Sequence, residues 1–410
     1  MGLRTMIRSQ TDHNAELLQI LEGPTIKVGY RLEKLLGSRF ETVESVRQFV
    51  SENPSLFYLQ TIGFSDNEVP DAKHEELLKL CPNITSLSLF ACHPPKKNFK
   101  SIVKFLESCR CITSLSLPKS PQTWSQFANL TQIEDLKIAK WKASYSKESF
   151  ASLVNSLPNL TALDLSGAEK IDCLDLIDEP SRIKSLSLAY CQDKSSRIAL
   201  NRFSNLESLC LATNKKSALT DEILASLEMP SLQALNLSSN KLKGTGISSL
   251  TRFKDLASLD FSFCKNVNDE ALKILFFNLQ FSHLALNGCI SITDAGLNCL
   301  ALQKGLVSLS FGGGEEVHNL SFMEFLGELK TLFIEHSQID EAPESMPMLT
   351  HLKKLVLLAI WDAPFVNDAA VAALKGMTHL VNIQLAGSSV TSEGENIVQT
   401  LTRKKVTWIG

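Results

Sequence analysis

No run of apolar residues in this 410-residue chain approaches the roughly 18 that a membrane-spanning helix needs. The opening stretch also lacks the block of about 7 to 15 apolar residues of an export signal. Gly2 would suit N-myristoylation, but Met6 stands where that motif needs Ser or Thr. No membrane association is therefore expected, and the cytoplasm is the expected compartment. Ten cysteines are too sparse for a disulfide scaffold and read as reduced thiols. Charge of one sign is missing too: 41 basic residues face 44 acidic ones, a net of -3. That balance argues against a nucleic-acid binder driven by bulk charge.

Chemistry is equally scarce. The eight histidines never fall at H-x-x-x-H spacing and no C-x-x-C occurs, so neither metal nor cofactor is expected. Gly312-Gly313-Gly314 lacks the Lys and Ser/Thr of a phosphate cradle. Cys92 and His93 are adjacent, but neighbouring strand residues point to opposite faces, which separates a would-be nucleophile from its base. No catalytic residue is assigned and no enzyme or small-molecule substrate is expected.

What the chain has in abundance is one pattern. Apolar residues at positions 1, 4 and 6 recur as Leu59/Ile62/Phe64, Leu160/Leu163/Leu165, Leu232/Leu235/Leu237, Leu256/Leu259/Phe261 and Leu306/Leu309/Phe311. Leu352/Leu355/Leu357 and Leu380/Ile383/Leu385 carry the pattern toward the C-terminus, where Val406 and Ile409 suggest a truncated last copy. Fourteen copies follow one another at intervals of 21 to 28 residues. Positions 4 and 6 share one face of a short strand. Position 9 holds Asn67, Cys92, Cys191, Asn214, Asn240, Cys264 or Cys289 in half of the copies. An inward Asn or Cys there can satisfy buried backbone groups of a neighbouring coil. Trp141, Ala168, Gly314 and Ile360 depart from that rule. Helix starts follow at Thr220-Asp221, Asn268-Asp269, Thr293-Asp294 and Asn367-Asp368, each with a capping side chain and an acid on the first turn.

This unit resembles the leucine-rich repeat, and Cys264-Lys-Asn-Val-Asn-Asp-Glu-Ala-Leu and Cys289-Ile-Ser-Ile-Thr-Asp-Ala-Gly-Leu are similar to its cysteine-containing subfamily. The resemblance implies an α/β solenoid, or horseshoe, of about 14 repeats with a parallel sheet on the concave face and helices on the convex face. Residues 59–410 form that domain. Residues 1–58 do not repeat, and the apolar spacing of Val43, Val46, Phe49 and Val50 predicts a helical cap for the open end of the core, with about the first 15 residues frayed. The subfamily's ubiquitin-ligase receptors carry an F-box before the repeats. Residues 15–21 lack its Leu-Pro lead, so no F-box is recognised here.

Repeat proteins of this kind bind partners along the strand face. Its outward positions are mostly Ser, Ala and Gly, against which Phe90, Tyr190, Phe263, His283, Phe333 and His336 stand out as anchors. Residues 96–147 hold ten basic and three acidic side chains, a local net of +7, with Trp124, Trp141 and Tyr145 among them. Lys119, Lys137 and Lys140 are expected to reach the strand face. The function expected is a scaffold or adaptor binding a protein partner, the chain itself being monomeric. A bacterial effector delivered into a host cytosol and a ubiquitin-ligase receptor are the alternatives.

Overall fold

The computed structural model describes residues 42–52, 61–63, 71–89, 96–117, 121–138, 142, 146–191, 200–213, 219–335, 345–362, 366–377, 379–386, 389–401 and 405–409. It divides into two compact units, Met1–Ser187 and Leu188–Gly410. In the first unit, six strands pair in sequence order and in parallel: β1 (Thr61–Gly63), β2 (Ser86–Ser88), β3 (Ser114–Leu117), β4 (Asp135–Ile138), β5 (Ala162–Asp164) and β6 (Ser185–Ser187). Nine strands do the same in the second: β7 (Ser208–Cys210), β8 (Ala234–Asn236), β9 (Ser258–Asp260), β10 (His283–Asn287), β11 (Ser308–Gly312), β12 (Thr331–Glu335), β13 (Leu357–Trp361), β14 (Asn382–Ala386) and β15 (Lys405–Ile409). Short α-helices or 3₁₀ turns connect most successive strands, the α/β alternation that the repeat implied.

The strands are short because only positions 3 to 7 of each repeat are extended. Position 4 is buried in every coil from β2 to β14, as with Leu163, Leu235, Leu259, Leu309 and Leu332, while positions 3 and 5 of β5, β8 and β9 are half-exposed. Position 6 fills the interior with Leu165, Leu237, Phe261, Phe311 and Ile334. Helix caps fall where the sequence placed them. Thr220, Asn268, Thr293 and Asn367 accept from backbone N–H groups of their own first turns. The acids that follow also bind the next coil: Asp269 accepts from Thr293 N at 2.9 Å, and Asp294 accepts from His318 N at 3.0 Å.

The ladder at position 9 works as its chemistry requires. The Asn240 amide donates to Leu211 O at 3.0 Å and Leu237 O at 2.8 Å, and its oxygen accepts from Leu219 N at 3.1 Å. Cys264 Sγ donates to Leu237 O and Cys289 Sγ to Phe261 O, both at 3.1 Å. Each thus reaches position 6 of the preceding coil, as Asn240 does. Cys264 and Cys289 are free thiols, and burial pushes Cys264 up to about 12 and Cys289 well above its ordinary value. Iodoacetamide applied to the native chain is therefore expected to label exposed Cys111 and to spare Cys264 and Cys289. Peptide mass spectrometry reads this directly; equal labelling of Cys264 and Cys111 would refute it.

Two details of register differ from the sequence reading. Strand β13 aligns Leu358 with Leu332 and Ile360 with Ile334, so that coil reads Leu355/Leu358/Ile360 rather than Leu352/Leu355/Leu357. Ile360 is therefore a buried position-6 residue and not a member of the ladder. Leu352, Leu355 and Leu358 are all apolar three residues apart, so the pattern fits both frames and only the neighbouring strand chooses. At the C-terminus Val406 pairs with Ile383 and Trp408 with Leu385, which places Trp408 rather than Ile409 beside the last apolar pair.

At the N-terminal end, helix Val43–Glu52 packs on helix Ala72–Leu80 with Val46 fully buried, and Arg47 bonds Glu76 at 2.8 Å. The expected fraying of the first 15 residues lies outside the described residues, as do Asn67, Cys92 and Asn214 of the ladder.

Candidate interaction face

Positions 3, 5 and 7 project from the strand face, and the residue at position 8 turns the chain away from it. That turn needs a left-handed backbone in coil after coil: Gly167, Tyr190, Ser239, Phe263, Gly288, Gly313 and Asp362 all have φ between 50° and 77°. The same N–H then donates to position 7 of the following coil, as from Tyr190 to Ala212 O at 2.7 Å, Phe263 to Asn287 O at 2.5 Å and Asp362 to Ala386 O at 2.8 Å. Asp362 fits this column only in the corrected register, which independently supports it. Glycine enters the turn without strain, whereas an aromatic side chain there is a true outlier. Tyr190 and Phe263 are held in that conformation by their surroundings.

In the first unit the face is polar. Ser114 Oγ donates to Asp135 Oδ2 at 2.9 Å, and burial pushes the Asp135 carboxyl up. Lys137 lies at position 5 of β4, and its ammonium sits 2.7 Å from Asp164 Oδ2. Trp124 is fully buried and so takes no part in an exposed basic patch, in contrast to its expected place there. Its 3₁₀ turn, Pro121–Phe127, replaces the longer helix of the neighbouring coils and turns the ring inward. Phe90, Lys119, Lys140, Trp141 and Tyr145 lie outside the described residues.

The second unit gathers the other anchors. Asp260 on β9 accepts from Asn236 Nδ2 at 2.9 Å and from Ser262 N at 2.8 Å, while burial pushes its carboxyl up. Burial, with Cys210 and Asp260 nearby, also raises the half-buried Tyr190 phenol. His283 is half-buried on β10, with its Nδ1 2.8 Å from Ser282 Oγ, and burial lowers its pKa. Phe263 is 39% exposed, and its ring lies over Gly288: a Cβ at that glycine would stand 2.6 Å from Phe263 Cδ1. Phe333 differs from its expected role as an exposed anchor. It is 8% exposed and meets Trp361 edge to face, with ring centroids 6.0 Å apart, because the following strand brings Trp361 alongside. His336 lies outside the described residues.

Three features of this face escaped sequence reasoning. Trp361 was hidden by the slipped register of its repeat. Asn287 at position 7 of β10 donates through Nδ2 to Ser310 Oγ, while its buried Oδ1 has no hydrogen-bond partner. Gly312 puts a bare backbone between Asn287 and Glu335 in the same column. Away from the face, Phe277, Leu302 and Phe325 are exposed, each four residues before position 1 of the next coil.

No helix among the described residues is long and apolar enough to cross a membrane, and none of their His, Cys, Asp and Glu side chains cluster as a metal site would require. No family model matches the chain. A putative RNA-binding protein of Caenorhabditis elegans is 24% identical over 209 residues, which are 48% of this chain and 28% of that protein. The chain therefore spans little more than a quarter of this relative's length. Among solved structures, the complex of Rad7 and Elc1 in yeast matches 100% of this chain and 98% of that one, with a TM-score of 0.56 and 17% identity. An internalin of Listeria monocytogenes matches 89% of this chain and 93% of its own, with a TM-score of 0.46 and 17% identity. The recurring apolar triplets, the parallel strand ladder and the Asn/Cys bonds between coils make this chain, in its fold, a leucine-rich-repeat protein.

Proposed function

We propose that the chain is a non-catalytic interaction module, a scaffold or adaptor that takes a protein partner on its strand face. One observation carries this reading: Phe263 is held in a left-handed turn that an aromatic residue rarely adopts, yet leaves 39% of its surface to solvent. Backbone strain of this kind concentrates at binding sites, and exposed aromatics anchor protein interfaces. Tyr190 occupies the same position of its own coil and adds a second amphipathic ring.

Proximity labelling in the native cell, comparing the natural chain with one carrying Tyr190→Ala and Phe263→Ala, tests this. The double variant should lose most specific neighbours, and removing two anchors should weaken a direct complex by at least about tenfold. An unchanged set of neighbours would sink the strand-face reading. The ubiquitin-ligase receptor is a second reading, supported by the full-length match to a chain solved in complex with Elc1. Pull-down with a Skp-type adaptor separates the two: the adaptor should not be retained by a plain scaffold.

A further inference from the structure

We infer that the edge of the second unit formed by positions 8 and 10 of three successive coils docks a second copy of this chain, in place of the monomer expected from the sequence. This rests on the reading of Phe263 as an interface anchor and names what it anchors. Position 10 follows the ladder residue and is exposed in each coil, as Lys265, Ile290 and Glu315. Hydrogen bonds hold the coils in step at this edge. Asn266 Nδ2 donates to Lys241 O at 3.3 Å, Ser291 Oγ to Lys265 O at 2.7 Å and Asp294 N to Glu316 O at 3.2 Å.

Charge along this edge changes sign about its middle. Lys241 and Lys265 are exposed on one side and Glu315 and Glu316 on the other, with Ile290, 48% exposed, between them. Neither Lys265 nor Glu315 has an ion-pair partner among the described residues. Position 8 is equally lopsided: Phe263 leans over Gly288, and Gly313 follows in that column with no side chain. A two-fold axis through Ile290, lying in the plane of contact, sets these coils against a second copy in reverse order. Ile290 then meets its own copy, and Lys265 meets Glu315 of the second copy. Phe263 faces the bare backbone of Gly313 there. A two-fold contact makes each of these pairings twice. Docking in the same order would instead set Lys265 against Lys265 and Glu315 against Glu315, which selects the reversed pairing. Burial of Ile290 and Phe263 supplies the attraction, and the exposed charges supply the register. The patch is small, so the dimer forms and parts with concentration.

Sedimentation equilibrium of the full chain over a roughly hundredfold range of concentration tests this. The average mass should rise toward that of two chains. Ile290→Arg sets two like charges on the axis, and Lys265→Glu makes both cross-pairs repulsive. Each should weaken the dimer by at least about tenfold. Adding Glu315→Lys to Lys265→Glu restores opposite signs and should bring the affinity back to within about threefold of the natural chain. All three side chains are exposed, so folding is not at stake in these variants. A single-chain mass at every concentration overturns the proposal. So does a dimer indifferent to Ile290→Arg, or one that the double reversal fails to recover. Should the chain stay monomeric while the Tyr190/Phe263 variant still loses its cellular neighbours, the second copy is wrong and the interaction reading stands.

Discussion

Asn240→Ala is expected to destabilise the second unit by about 3–5 kcal/mol, as two or more buried backbone groups lose their partners at about 1–3 kcal/mol each. Leu211 O, Leu237 O and Leu219 N all bond this one side chain, which is 1% exposed. Asn240→Cys should recover about half of the loss, because Cys264 and Cys289 already donate to the equivalent carbonyl of their preceding coils. The acceptor for Leu219 N would remain missing. Urea titration gives the free energies, and hydrogen exchange should show the coils around β7 and β8 opening first, since repeats couple mainly to their neighbours. Equal stability of the alanine variant and the natural chain would remove the ladder from the account of this fold.

Gly312→Ala should be as damaging for a different reason. Gly312 has φ of 152°, a conformation that L side chains rarely adopt, and a Cβ there would fall within the contact shell of the Glu335 carbonyl oxygen and its carbon. Those are backbone atoms of the adjoining strand and cannot turn aside as a side chain could. A loss of about 3 kcal/mol or more is expected, combining backbone strain with overpacking. Gly305 is the internal control, since nothing lies within 4 Å of its would-be Cβ. Gly305→Ala should stay within about 0.5 kcal/mol of the natural chain. Thermal melts of the two variants decide the matter, and similar melting temperatures for both would contradict the close packing of β11 on β12.

The repeat was legible because its causes are local. Leu at positions 1 and 4, the capping Thr or Asn and the acid after it each act within a few residues, so they leave a mark in the sequence. The ladder was legible for the same reason, since Asn or Cys recurs at one fixed position in half of the copies. The interaction face was less so. Tyr190, Phe263 and His283 stood out because large side chains interrupt a run of Ser, Ala and Gly. Phe333 had the same signature, and nothing within its own repeat announces that Trp361 leans against it. Asn287 had no signature, since an Asn at position 7 reads as an ordinary polar surface residue.

Sequence alone determined that this chain is a parallel α/β repeat array, where the helices after Thr220, Asn268, Thr293 and Asn367 begin, and that Cys191, Cys264 and Cys289 face inward. Those properties follow from side-chain period and backbone hydrogen-bond demand inside a single coil. Tertiary structure alone decided the frame of the coil at Leu355, the burial of Phe333 and the unsatisfied oxygen of Asn287. Each of these depends on what the neighbouring coil places about 4.8 Å away. That neighbour lies more than twenty residues off along the chain, beyond the reach of any local pattern.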